Sequence, residues 1–157
     1  MPDGTRTNFR VFKRNVVAEV AALQAGLAPG QIRRGLRVLR DILAAFEIII
    51  WERGHDMYYI EPLFYHNAII FERYGFTYQQ GQRWMESINT RFSDNSSPFI
   101  ARLDGSTPFR TLQAAQSVRG RSWAIHDGIL GEPFTDVHMY KRVGKNAAPE
   151  TFPGGVW

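Results

Sequence analysis

From residue 32 the large apolar side chains return in alternating steps of four and three: Ile32, Leu36, Leu39, Leu43, Phe46 and Ile50. That spacing predicts a helix with one continuous apolar stripe, stopped at Gly54. Arg33, Arg37 and Arg40 fall on a second stripe, with Arg34 beside it. Upstream, Phe9, Phe12, Val16, Val20 and Leu23 keep the same rhythm. They predict a first helix that begins after Asn8 and ends at Gly26 and the turn at 28–30. Pro62 and Gly75 frame a third helix. A fourth runs from about Tyr78 to Phe92 with Thr77 as its cap. Gly81 weakens it by about 1 kcal/mol relative to alanine.

After the loop "SDNSSP" (93–98) the pattern changes. "FIARLDGSTPF" reads as a short extended piece and a turn. Thr107-Pro108 reads as the cap and first residue of another helix, reaching at least Val118. "FTDVHMYKRV" (134–143) alternates at period two and predicts a strand. The tail "NAAPETFPGGVW" has no regular pattern, but Phe152 and Trp157 can anchor it on the body or on a neighbouring subunit. The expectation is a mainly α, single-domain protein. An antiparallel bundle of about four helices spans 8–92, and a less regular part (99–157) carries one more helix and room for a small β-hairpin.

The 157 residues suffice for one self-standing core. No apolar run approaches the roughly 18 residues of a membrane span. The opening "MPDGTRTNFR" has no apolar leader, so a cytoplasmic location is the expectation. There are no cysteines, which excludes disulfides, thiolate-bound metals and cysteine nucleophiles. Charge is uneven. Residues 1–40 hold eight basic side chains against Asp3 and Glu19, while the whole chain is only +4. The basic face Arg33, Arg34, Arg37 and Arg40 could therefore meet an acidic partner or the phosphates of a nucleic acid.

Candidate chemistry concentrates in 47–78. All four histidines lie near acids: His55 beside Asp56, His66 between Glu61 and Glu72, His126 beside Asp127, and His138 after Asp136. Glu52 and His55 stand three apart, so both can point the same way on a helix. Helix bundles hold di-metal sites with such Glu-x-x-His pairs, although a second pair is missing here. The expected site takes His55 and His66 as ligands with Glu52 and Glu72 as carboxylates. Glu47, Asp56 and Glu61 would stand behind them, and His126, Asp127 and His138 could join from the C-terminal part. Imidazole and carboxylate suit a divalent iron, manganese or zinc ion, and such a site would make the protein a metal-dependent enzyme acting on a small molecule. Glu47 sits in an apolar run, so it must be either at an exposed edge or buried with a partner.

Five of the six tyrosines fall between 58 and 78. A buried tyrosine needs a partner for its hydroxyl, so this density suggests a cleft, with Tyr58, Tyr59 and Tyr65 lining it, or a homo-oligomer interface. His126-Asp127 also has Ser117 and Ser122 nearby, but no triad can be assigned.

"NAIIFERYGF" (67–76) resembles the helix-to-strand segment of acetyl-coenzyme-A-dependent N-acetyltransferases. The resemblance covers ten residues. The glycine-rich pyrophosphate loop that it implies upstream is missing, since "IIIWERGHD" has a single glycine, and the segment lies mid-chain where the family carries it near the end. The chain is not assigned to that family on this segment.

Overall fold

The computed structural model describes residues 14–35, 37–146 and 149–157. Helix α1 is Val16–Gln24, capped by the Asn15 side chain, which accepts from the Ala18 N–H at 3.0 Å. The start expected after Asn8 lies outside the described residues. Helix α2 is Leu39–Glu52. The stripe from Ile32 predicted an earlier start, but 31–35 and 37–38 are not helical, and Arg37 takes a left-handed φ of 59°. Gly35 within that stretch lowers the helical preference further.

Strand β1 (Met57–Ile60) leads through Pro62 into helix α3 (Tyr65–Arg73), inside the frame that Pro62 and Gly75 predict. Gly75 closes α3 at φ +88°, where a Cβ would meet Asn146 at 2.6 Å. Strand β2 (Thr77–Gln80) and helix α4 (Gln82–Ser93) follow. Gly81, expected as a weak point inside one helix, is instead the left-handed joint between β2 and α4. A Cβ there would press on the backbone of Asp136 and Val137. Short 3-10 turns at Ile100–Arg102 and Leu112–Gln116 replace the extended piece and the helix expected after Thr107. Helix α5 (Val118–His126) starts under the Ser117 cap, and strand β3 is His138–Arg142.

The sheet order is β1-β3-β2, with β3 antiparallel to both neighbours. β1 and β2 therefore run parallel, joined by α3, with β3 inserted between them as in a split β-α-β unit. Tyr58, Ile60, Tyr78, Met139 and Lys141 share one sheet face. Helix α2 lies on that face: Phe46 meets the Tyr58 ring edge-on at 5.2 Å, and Glu47 reaches Lys141. α3 packs against α5, and Ile69, Phe76, Met85, Ile88, Val118 and Ile125 join the same core. Each such side chain contributes roughly 1.5–3 kcal/mol by leaving water.

The expected antiparallel helix bundle is thus corrected. The protein is mixed α/β, with five helices and a three-stranded antiparallel sheet among the described residues, 43% helix and 11% strand. Residues 57–60, left unassigned by the periodicity, and 77–80, expected to open the fourth helix, are strands. β3 is not half of a local hairpin but pairs with both of them across long stretches of chain.

Candidate functional site

A wide cleft lies where four parts of the chain meet. Its walls are the segment from Gly26 to Ile42, the C-terminal end of α3, the first turn of α5 and the terminal Trp157. Its volume is ≈ 790 Å³.

 A second cleft, described below, is smaller, at ≈ 480 Å³.

Five arginines line the larger cleft: Arg34, Arg37, Arg40, Arg73 and Arg119. Among the described residues no acidic residue lines it, and none of the five forms an ion pair. Two are fixed through backbone carbonyls. Arg119 donates to the Gly26 carbonyl at 3.1 Å, and Arg73 donates to the Gly155 carbonyl. A guanidinium has five N–H donors, so both keep donors for a ligand. Tyr74 and Trp157 add aromatic surface to the same walls.

The tail that carries Trp157 is strapped down along its length. Thr151 donates to Glu72 twice, from its backbone N–H at 3.1 Å and its hydroxyl at 2.6 Å. The Phe152 ring lies 3.5 Å from the buried Arg121 guanidinium, and the Val118 N–H donates to the Val156 carbonyl at 2.8 Å. Of the two anchorages expected for Phe152 and Trp157, the body of the same chain is the one observed.

The residues expected to bind metal fall in different surroundings. His55 is exposed in the loop after α2, as are Glu52, Asp56 and Glu61. Asp56 meets Arg142 at 3.1 Å. His66 is buried, its Nδ1 2.8 Å from the Ser122 hydroxyl and its ring stacked on Phe64. Burial lowers its pKa to about 4, so the ring is neutral near pH 7. Glu72 is buried and accepts from Tyr78 at 2.5 Å as well as from Thr151. Burial pushes its carboxyl above the usual range, against those hydrogen bonds.

Glu47 follows the buried-with-a-partner alternative. It accepts from Lys141 at 2.5 Å, the Gly144 N–H at 2.9 Å and the Tyr58 hydroxyl at 3.3 Å. Burial raises its carboxyl, and these three donors outweigh that and hold it below its usual range. His126 lies 3.2 Å from Glu19, and Asp127 joins Arg14, Arg110 and Thr107. His138 opens β3 opposite Gln80. Tyr59 is exposed beside Tyr140, and Tyr65 is buried beneath Phe134. Among the described residues, no group of three or more histidines and acids is placed to hold a metal ion.

Tyr65, Ser122 and His126 line the smaller cleft, with Leu63, Phe64 and Phe134 as apolar walls. Ser122 sits inside α5, where neighbouring backbone N–H groups are bonded within the helix, so the Ser122–His66 pair has no N–H cradle there for an oxyanion. The larger cleft is the site with a distinct chemistry. Arg34, Arg37 and Arg40 were legible as a basic cluster. Arg73, Arg119, Tyr74 and Trp157 were missed, because only tertiary folding brings them beside it.

No family model matches the chain, and comparison with curated proteins and with solved structures gave no match.

Proposed function

We propose that the protein is a binding module for single-stranded nucleic acid, with the arginine cleft as its site. One observation carries the reading: five arginines line one cleft in which the described lining holds no acidic residue. Each is a planar fork suited to a phosphate, and their mutual repulsion is relieved when anionic phosphates enter. Tyr74 and Trp157 supply faces on which bases stack, which every base permits. The cleft falls in the size range of small-molecule sites, about 300–1,000 Å³, so it takes a short piece of strand rather than a duplex. A cytoplasmic location would give it access to such strands.

The test is fluorescence anisotropy with a labelled single-stranded oligonucleotide over a salt series. Three to five phosphate contacts give a slope of log affinity against log salt of about −2 to −3.5. The double variant Arg37→Ala, Arg40→Ala weakens binding at low salt and flattens that slope. Salt-independent binding, or binding indifferent to these arginines, would overturn the reading. The competing metal-enzyme reading finds less support, since His55 is exposed while His66 is buried against Ser122. Stoichiometric metal in protein purified without a polyhistidine tag would favour it.

A further inference from the structure

Helix α2 carries large apolar side chains on its outward as well as its inward side, and one chain covers only the inward ones. Leu43 is buried, and Leu39, Glu47 and Ile50 are half-buried on the inward face. The outward stripe Val38, Ile42, Ala45 and Ile49, spaced by four, three and four, is exposed, with Ile42 at 55% and Ile49 at 50%. Ile48, 60% exposed, lies beside it. A helix with apolar side chains on two sides belongs in an interior, and here the second wall of that interior is missing.

We propose that the second wall is α2 of another copy of this chain, packed antiparallel about a two-fold axis near Ala45. The inference stands on α2 and not on the nucleic-acid reading, so the two can fail separately. A two-fold axis there puts Ile42 of each copy against Ile49 of the other, and the small Ala45 side chains allow close approach at the centre. The helix ends are complementary in this arrangement. Asp41 of one copy meets the Arg53 end of the other, and the two-fold axis repeats that pair. Among the described residues neither has an ion-pair partner within its own chain. The antiparallel helix dipoles add to the attraction. A parallel pair would set Asp41 against Asp41 and Arg53 against Arg53, and an anionic membrane surface would set Asp41 and Glu52 against lipid phosphates.

The test uses the full chain. Sedimentation velocity between ~1 and ~100 µM, a range suited to a small interface, is expected to show a concentration-dependent dimer. Ile49→Glu, at an exposed position, is expected to give monomers with an unchanged far-ultraviolet circular dichroism spectrum. Because the chain has no cysteine, Ala45→Cys gives one thiol per copy. A short bis-maleimide is expected to cross-link it into dimers, while the exposed Gln113→Cys control stays monomeric. A chain that remains monomeric throughout the range overturns the proposal, including one that instead binds vesicles of anionic lipid through Ile49. So does a dimer that is indifferent to Ile49→Glu, or equal cross-linking at 45 and 113.

Discussion

The Nδ1 atom of His66 lies 2.8 Å from the Ser122 hydroxyl, joining α3 to α5 across 56 residues of chain. Both side chains are buried. The imidazole titrates near 4 in the folded protein because burial disfavours its charged form, against about 6.5 when unfolded. Between these values the unfolded chain binds more protons. The stability this group contributes is therefore complete above pH 6.5 and is lost as pH falls toward 4. The full effect is at most about 3 kcal/mol. Urea unfolding at pH 4.5 and pH 7 is expected to show the loss, and His66→Gln, which cannot titrate, to reduce it. An unchanged pH slope in His66→Gln would place the acid sensitivity elsewhere.

Glu72 has the opposite sign. Burial raises its carboxyl pKa in the folded state. Its contribution is present below the unfolded pKa and declines as pH rises through the folded value. Glu72→Gln removes that decline while keeping an oxygen that can accept from Tyr78 or Thr151. The variant is expected to unfold at higher urea than the parent, relative to its own value at pH 4, when both are compared at pH 8.

The same carboxylate holds the tail. Thr151→Val removes the 2.6 Å hydroxyl bond and leaves a buried acceptor less satisfied, at about 1–3 kcal/mol. That loss is local, so hydrogen exchange at the Val118 amide, which is bonded to Val156, is expected to speed up more than exchange in β3. Equal acceleration in both would mean that the tail unfolds only with the whole protein.

Two ion pairs join the helical part to β3 and its edge, and they should differ in worth. Glu47–Lys141 is largely shielded, whereas Arg142–Asp56 has side chains 55% and 70% exposed. Removing one partner of a shielded pair strands the other charge, while exposed pairs contribute about 0–1 kcal/mol. Glu47→Gln is expected to cost about 2 kcal/mol and Asp56→Asn under about 0.5 kcal/mol in urea unfolding. Equal costs would deny Glu47 its role in seating α2 on the sheet.

The helices were readable where their ends were punctuated. Pro62 and Gly75 bracket α3, and the alternation in 134–143 contains β3. β1 and β2 were not readable, because four residues are too few to tell a period of two from one of 3.6. Gly81 was misread for a related reason: a glycine between two polar runs fits a weak helix as well as a joint, and only its φ of 95° decides. At the site, Arg34, Arg37 and Arg40 announced a basic surface, although the helix assumed to carry them begins only at Leu39. His66 looked like a ligand because acids neighbour it in sequence. Its actual neighbours are Ser122, Phe64 and Trp157.

Trp157 separates simple charge attraction from a site built for nucleic acid. It is half of the aromatic surface in the arginine cleft and contacts the His66 ring edge-on at 6.0 Å. Base stacking on an aromatic side chain contributes about 1–3 kcal/mol, without altering the number of phosphates engaged. Trp157→Ala is therefore expected to weaken oligonucleotide binding by roughly 5- to 150-fold while leaving the salt slope unchanged. Arg73→Ala should lower both affinity and slope, because it removes a phosphate partner. Trp157 fluorescence should be quenched on binding in the parent and in Arg73→Ala at saturating strand. A Trp157→Ala protein that binds like the parent would reduce the cleft to a charged surface that holds any polyanion, and heparin would then compete as well as a strand of bases.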